Sequence, residues 1–160
     1  MLFSEYYPDY FTARILEWKP LLKQDKYKDL VVSSLEFLVK EKRIKVYAFA
    51  IMSNHIHVIW HVQALFQPKD IQLSFIKYTA QMIIKDLRNN HQEVLEIFKV
   101  KASERKYQIW ERNPFSVSLW SQPVFKQKVH YIHSNPVAAG LCNFPKNTNI
   151  PQLLFISKLT

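Results

Sequence analysis

The segment "IKVYAFAIMSNHIHVIWHV" (residues 44–62) decides how this chain folds. Residues 44–52 are rich in β-branched and aromatic side chains, which favour a strand. Ser53 and Asn54 are residues typical of a short turn or bulge, and residues 55–62 again have the composition of a strand. The segment therefore predicts two successive strands joined by a very short connection.

Further elements are predicted on both sides of this segment. Alternating hydrophobicity indicates a strand over 10–18, and apolar residues at helical spacing indicate helices over 26–43 and 68–90. Strand-like pieces within 107–120 and a helix over 121–141 complete the order. This order is typical of an α+β protein with a ferredoxin-like antiparallel sheet and helices packed on it. The face of the second helix expected to be buried carries Leu73, Ile76, Ala80, Ile83 and Leu87.

Charge is unevenly distributed along the chain. The formal net charge is +9, from 22 basic and 13 acidic residues. Residues 99–160 hold nine of the basic and two of the acidic side chains, and no acidic residue follows Ser121. Such a one-sided positive field favours nucleic acid or another polyanion, and a merely basic, soluble surface is the alternative.

The composition excludes several kinds of site. Gly140 is the only glycine, which excludes the glycine-rich phosphate loops of the Rossmann and P-loop kinds. Cys142 is the only cysteine, so neither a disulfide framework nor a cysteine zinc site is expected. The chain shows no signal-peptide pattern and no apolar run long enough to span a membrane. We therefore expect a cytoplasmic protein without a membrane partner.

Two histidines share one side of the second strand. His55 and His57 are two residues apart, and side chains at that spacing point to the same face of a strand. Two neutral imidazoles placed in this way can hold one divalent metal ion, which needs at least one further ligand. The alternative is two partly exposed histidines that bond to water or backbone. His61 shares their parity further along the strand.

A second set of functional residues lies in the last predicted helix. Tyr131 and Asn135 are four residues apart, so a helix brings the phenol and the carboxamide to one face. Tyrosine can act as a covalent nucleophile, and an amide oxygen is a suitable ligand for Mg²⁺ or Mn²⁺. Each residue alone also has a plainer explanation, because Tyr131 can be a packing residue and Asn135 a cap before Pro136.

Taken together, "YAFAIMSNHIHVIW" (47–60) and "VHYIHSNPVAAGL" (129–141) resemble the HUH single-tyrosine transposases, and most closely the REP-associated tyrosine transposases. "WKPLL" (18–22) and "QIWERN" (108–113) are also similar to segments of this family. The resemblance implies a ferredoxin-like catalytic domain, which we assign to residues 1–145, with 146–160 as a C-terminal extension. Ser53 stands where the family often has proline, and the tail departs from the usual family ending.

The resemblance also implies an activity. His55, His57 and Asn135 would be the ligands of Mg²⁺ or Mn²⁺, and Tyr131 would be the nucleophile. The enzyme would cleave and rejoin single-stranded DNA through a 5′-phosphotyrosine intermediate, at hairpin-flanked or repetitive palindromic sequences. Expected partners are single-stranded or hairpin DNA, and the expected assembly is a monomer or a homodimer. The expected location is the bacterial cytoplasm, with association with the nucleoid when DNA is bound.

Basic residues near the tyrosine segment are the predicted phosphate-binding groups. Trp110 and Trp120 are predicted candidates to stack on unpaired bases, although large aromatic side chains more often belong to the core. The predicted DNA-binding residues are Lys126, Lys128, Arg105, Lys106 and Arg112.

Other functions remain open from the sequence. One is a metal-dependent hydrolase in which His55 and His57 hold the metal, with His61 as an optional third ligand, and water attacks. Another is a non-catalytic nucleic-acid-binding module of the same fold, that is, a decayed transposase. Intact His55, His57, Tyr131 and Asn135 argue against decay, and a covalent protein–DNA adduct would separate the transposase from the hydrolase. An ordinary interaction domain is the last alternative.

Overall fold

The computed structural model describes residues 7–138, and side chains are described for 7–134. Two short 3-10 turns, Leu16–Trp18 and Leu21–Lys23, lie between the first strand and the first helix. The predicted boundary between catalytic domain and C-terminal extension lies outside the described residues. Within the described range the elements are β1 (Asp9–Arg14), α1 (Asp25–Lys40), β2 (Ile44–Ile51), β3 (His55–Val62), α2 (Pro68–Asn90), α3 (Gln92–Glu96), β4 (Phe115–Ser118) and α4 (Gln122–Ala138).

The strands form one antiparallel sheet in the order β2-β3-β1-β4. The Ser53–Asn54 connection joins β2 to β3, and the Met52 N–H donates to the His55 carbonyl at 2.8 Å. Strand β1 lies between β3 and β4, so residues distant in sequence become neighbours. This order, with helices after β1 and β3, confirms the predicted ferredoxin-like α+β fold.

The main hydrophobic core lies between the sheet and helices α1 and α2. Because side chains alternate between the two faces of a strand, Phe11, Val58 and Trp60 all point into this core and are fully buried. Phe11 stacks on Trp60 with ring centroids 4.9 Å apart, and Phe75 of α2 packs edge-on against both rings. Aromatic contacts of this geometry stabilise a core beyond their burial alone.

Helix α2 is turned relative to the predicted orientation. The prediction that Leu73 is buried is wrong, because its side chain is exposed. A polar residue takes part in the buried stripe instead: Thr79 donates to the Phe75 carbonyl at 2.8 Å and accepts from the Trp110 indole N–H at 3.0 Å. Hydrophobicity alone does not reveal such a buried hydroxyl. The buried residues of α2 are Ile71, Phe75, Thr79, Ile83 and Leu87.

Helix α4 covers the opposite face of the sheet. The small side chains of Ala48 and Ala50 lie beneath it, and close packing against them brings the helix near the sheet. Phe125, Val129 and Ile132 form the apolar face of α4 that contacts the sheet. No helix within residues 7–138 combines the length and apolarity needed to cross a membrane.

An acid-sensitive link joins α1 to α2 at Asp86. Lys26 Nζ lies 2.7 Å from the carboxylate, and Tyr27 Oη donates to it at 2.6 Å. The hydrogen bond from Lys26 is the largest cause, and together with that from Tyr27 it lowers the pKa of Asp86 from its ordinary 3.8 to about 2. Because the folded pKa is the lower one, the link contributes stability above about pH 4 that is lost as the pH falls towards 2.

We expect Asp86→Asn to remove part of the decline in unfolding free energy between about pH 4 and pH 2. The measurement is denaturant unfolding at a series of pH values. Asp29→Asn, an exposed substitution on α1, serves as the control and should keep the wild-type decline. Identical pH profiles for Asp86→Asn and the wild type would contradict a stabilising role of this link.

Candidate metal and tyrosine site

Strand β3 presents His55 and His57 on the sheet face that α4 covers. Their ring centroids are 4.8 Å apart and the rings are nearly perpendicular, at 80°. His57 is 7% exposed, whereas His55 is half-buried. The alternation of the strand therefore places two imidazoles side by side at the edge of a packed face.

Two hydroxyl groups orient the His57 ring. Tyr10 Oη and Thr12 Oγ1 each lie 2.9 Å from His57 Nδ1, and Thr12 is directly opposite His57 in the β1–β3 register. His57 Nε2 is buried and has no hydrogen-bond partner among the described residues. Leaving such an atom unpaired costs about 1–3 kcal/mol. A cation bound at Nε2 would offset that cost, so this imidazole fits the part of a metal ligand.

Asn54 orients the His55 ring in a similar way. The His55 Nδ1–H donates to Asn54 Oδ1 at 2.8 Å, while Asn54 Nδ2 donates to the Trp18 carbonyl at 3.3 Å. The second bond assigns the amide orientation and hence the tautomer of His55. With its proton on Nδ1, His55 keeps the lone pair of Nε2 for a metal ion.

Burial keeps both imidazoles neutral. It is the main cause that lowers the pKa of His57 to about 4, and the charges of His55 and Lys128 act in the same direction. Burial also lowers the pKa of His55. Both rings are therefore uncharged near pH 7, which is the form that binds metals.

Tyr131 lies next to this histidine pair. Its ring centroid is 5.9 Å from that of His57, and its side chain is 49% exposed. Lys128, one turn earlier on α4, places Nζ 5.0 Å from the Tyr10 ring centroid and 5.9 Å from that of Tyr131. The site thus combines an accessible phenol, two neutral imidazoles and an ammonium group.

The predicted third ligand, Asn135, follows Tyr131 by one turn within α4. Its side chain lies outside the described residues, so its role stays a prediction. Among the side chains that the structure describes, no group of three His, Cys, Asp or Glu residues could hold a metal ion. The version of the site in which His61 completes the set with His55 and His57 is therefore wrong, because His61 lies too far along β3.

The predicted phosphate-binding residues fall into two groups. Lys128 lies at the tyrosine, and Lys126 is exposed on the same helix. Arg105, Lys106 and Arg112 are exposed on the segment between α3 and β4. Glu104 forms ion pairs with both arginines of this segment, at 3.7 and 3.2 Å. Exposed pairs of this kind are weak, so a phosphate group can compete for the two cations.

The two tryptophans predicted to stack on bases differ in exposure. The stacking role for Trp110 is wrong and the alternative, a core position, is confirmed, because this residue is 3% exposed and its indole N–H donates to Thr79. Trp120 is 75% exposed and is available for stacking. Trp18 was not predicted as a base-stacking residue, but it is half-exposed and contacts the site. The Arg14 guanidinium lies 5.1 Å from its ring centroid, and the His55 ring packs edge-on with centroids 5.8 Å apart.

The side chains that orient the two histidines were not predicted from the sequence. Asn54 directly precedes His55, and this adjacency was an available signal. Tyr10 and Thr12 gave no such signal, because their nearness to His57 depends on the register between β1 and β3.

Comparison with known proteins identifies a shared fold. No protein-family model matches the chain, and no curated protein sequence matches it. The structure of a REP-associated tyrosine transposase bound to a REP hairpin is similar over 89% of this chain and 76% of that one, with a TM-score of 0.58 and 16% identity. A transposase candidate from Deinococcus radiodurans R1 is similar over 79% of this chain and 89% of its own, with a TM-score of 0.49 and 14% identity. The first similarity confirms the fold that the sequence resemblance implied.

Proposed function

We propose that this protein is a metal-dependent, single-stranded DNA nickase and transposase that works through a 5′-phosphotyrosine intermediate. The observation that carries the proposal is the accessible phenol of Tyr131 beside His57, whose buried Nε2 has no partner among the described residues. The positive charge after residue 98 supports a nucleic-acid substrate. The similar transposase is bound to a REP hairpin, which supports hairpin-flanked or repetitive palindromic DNA as the target.

In this proposal His55 and His57 hold Mg²⁺ or Mn²⁺ through their Nε2 atoms, and Asn135 is the third protein ligand. When bound, the cation polarises a non-bridging oxygen of the scissile phosphate. The hydrogen bonds at the two Nδ1 atoms fix the orientation of both rings, so that their Nε2 atoms would serve as the ligands. Their neutral state at pH 7 means that no proton has to leave before binding.

The proposed reaction is an in-line displacement at phosphorus. The bond between Tyr131 Oη and phosphorus forms while the bond from phosphorus to the 3′-oxygen breaks. The phenol proton passes to solvent, and the leaving oxygen takes up a proton to become a 3′-hydroxyl. Lys128 offsets the negative charge that develops on the phosphate. A 3′-hydroxyl can later attack the phosphotyrosine, so rejoining requires no ATP.

The test uses a hairpin DNA with single-stranded flanks, labelled at either its 3′ or its 5′ end, in the presence of Mn²⁺. The expected result is a band of protein mass on a denaturing gel that carries the 3′ label and not the 5′ label, and that EDTA abolishes. Cleavage with both labelled fragments free of protein would favour the hydrolase instead. Tight binding of DNA that stays intact would favour the non-catalytic module.

Asn54→Ala is expected to weaken Mn²⁺ binding about tenfold or more, because His55 loses the acceptor that holds its ring and tautomer. The affinity is measured by isothermal titration calorimetry without DNA. Asn90→Ala is a matched control, since Asn90 bonds to Asp86 on α2. Equal Mn²⁺ affinity for Asn54→Ala, Asn90→Ala and the wild type would rule out this role for Asn54.

A further inference from the structure

A polar cleft lies on the face of the sheet opposite to Tyr131. It has a volume of about 360 Å³ and opens where the first turns of α2 meet β1 and β4. Because neighbouring residues of a strand point to opposite faces, Asp9 belongs to this cleft while Tyr10 belongs to the tyrosine site. The cleft is lined chiefly by Tyr7, Asp9, Lys69, Gln72, Ser116 and Ser118.

Asp9 is the unusual member of the cleft. Its side chain is 7% exposed, and Ser118 Oγ donates to Oδ1 at 3.1 Å. No lysine or arginine among the described side chains forms an ion pair with it. Burial raises the pKa of this carboxyl group, whereas the Ser118 hydrogen bond and the charge of His61 favour its ionised form. One hydroxyl donor leaves further lone pairs of the carboxylate open to a ligand. A ligand that supplies two N–H donors would satisfy it.

The other groups around Asp9 favour one class of ligand, a planar heterocycle that carries hydrogen-bond donors and an acceptor on one edge. On the α2 side of the cleft, Lys69 supplies an ammonium group, and the Gln72 amide donates one N–H to Ser116 Oγ at 2.9 Å and keeps a second. Tyr7 offers a half-exposed ring at the rim. Proteins read unpaired bases by stacking on aromatic rings and by hydrogen bonds to the Watson–Crick edge. The cleft carries each of these parts.

Guanine matches this arrangement best. Its N1–H and N2 amino group are adjacent donors that one carboxylate can accept together, and O6 beside them is an acceptor for Lys69 or Gln72. Adenine would instead place the N1 lone pair against the carboxylate. Thymine offers one N–H between two carbonyls, and cytosine offers one amino group without a neighbouring N–H. The donor and acceptor pattern therefore favours guanine.

Strand β4 connects this cleft to the tyrosine site. It is an edge strand whose four residues are all exposed. Phe115 faces the tyrosine site, with its ring 6.4 Å from that of Tyr10, while Ser116 and Ser118 face the cleft. A DNA strand held at both Tyr131 and the cleft would have to cross this edge.

We infer that the cleft around Asp9 binds one unpaired guanine base of the DNA and thereby contributes to target specificity. The identity of the ligand as DNA rests on the proposed function. The recognising groups are the Asp9 carboxylate, which accepts from N1–H and the N2 amino group, and Lys69 or Gln72, which donates to O6.

The test measures binding of flanked hairpin DNA in EDTA, where no cleavage occurs. Each unpaired guanine is replaced in turn by inosine, which lacks only the N2 amino group. We expect one position at which inosine weakens binding about tenfold. In Asp9→Asn that inosine effect should disappear, and adenine should become the preferred base, because an amide both donates to N1 and accepts from the N6 amino group.

Asp70→Asn, which removes a carboxylate from the same end of α2 outside the cleft, should keep the guanine preference. If Asp9→Asn does not fold, as judged by circular dichroism, Gln72→Ala is used, and it should weaken binding of the guanine DNA more than that of an adenine-substituted DNA. The inference is overturned if inosine is tolerated at every position, or if the folded variant retains the wild-type preference. Free GMP that binds as tightly as the DNA, with the same dependence on Asp9, would overturn DNA as the ligand.

This readout is independent of the proposed chemistry. A guanine preference that is present in Tyr131→Phe, in a protein that forms no adduct, would support the cleft while contradicting the nickase. If the adduct forms equally well on guanine and inosine DNA, and both DNAs bind with equal affinity, the nickase is supported and the guanine cleft is contradicted.

Discussion

Tyr131→Phe is expected to abolish the covalent protein–DNA adduct and to lower the cleavage rate by at least about a thousandfold. The substitution removes the attacking oxygen and leaves the ring, so the contact with His57 at 5.9 Å and the packing of α4 should persist. Hairpin-DNA affinity and the unfolding free energy should therefore stay close to the wild type. The adduct is measured on denaturing gels with 3′-labelled DNA, and the affinity by fluorescence anisotropy.

Tyr78→Phe is the matched control, because Tyr78 is an equally exposed tyrosine on α2. Tyr10→Phe tests the other phenol near His57, which is buried and bonded to the imidazole. We expect both variants to form the adduct, Tyr10→Phe more slowly because the His57 ring loses one of its two hydroxyl partners. An adduct that survives in Tyr131→Phe would remove Tyr131 from the role of nucleophile.

His57→Ala is expected to reduce Mn²⁺ affinity by at least about a hundredfold and to remove metal-dependent cleavage. The reason is that His57 contributes the buried Nε2 that no other described residue satisfies. Mn²⁺ binding is measured by electron paramagnetic resonance, and cleavage is measured at several Mn²⁺ concentrations. Part of the lost cleavage should return at high Mn²⁺, which a general loss of folding would not produce.

His61→Ala is the control for this experiment, because His61 lies on the same strand and the structure excludes it from a three-residue metal group with His55 and His57. Its Mn²⁺ affinity should equal that of the wild type. Unchanged Mn²⁺ binding in the double variant His55→Ala/His57→Ala would eliminate the histidine pair as the metal site.

The sequence predicted the central elements of the fold well because their signals are local. Strand β3 and helix α2 begin and end where composition, turn residues and Pro68 indicated. The orientation of α2 was less predictable, since the buried hydroxyl of Thr79 is explained only by Phe75 on its own helix and Trp110 from a distant segment. Likewise, the opposite exposures of Trp110 and Trp120 arise from tertiary packing that no local pattern encodes.

In the candidate site, too, properties of single elements could be predicted from the sequence, whereas contacts between elements could not. The two-residue spacing of His55 and His57 and the position of Tyr131 on a helix are properties of single elements. The meeting of these elements depends on α4 packing over Ala48 and Ala50, and sequence periodicity does not state which sheet face a helix covers. The two hydroxyls at His57 belong to Tyr10 and Thr12 of β1, which precede His57 by 47 and 45 positions in the sequence. They reach His57 only through the register between β1 and β3.

The packing of α4 on its own sheet has a kinetic consequence. Since Tyr131 and His57 meet within a single polypeptide, the first strand cleavage should be first order in the protein–DNA complex. At saturating DNA, the amount of adduct formed per mole of protein should then stay constant when the protein is diluted. A yield that falls on dilution would instead show that a second polypeptide completes the reacting unit.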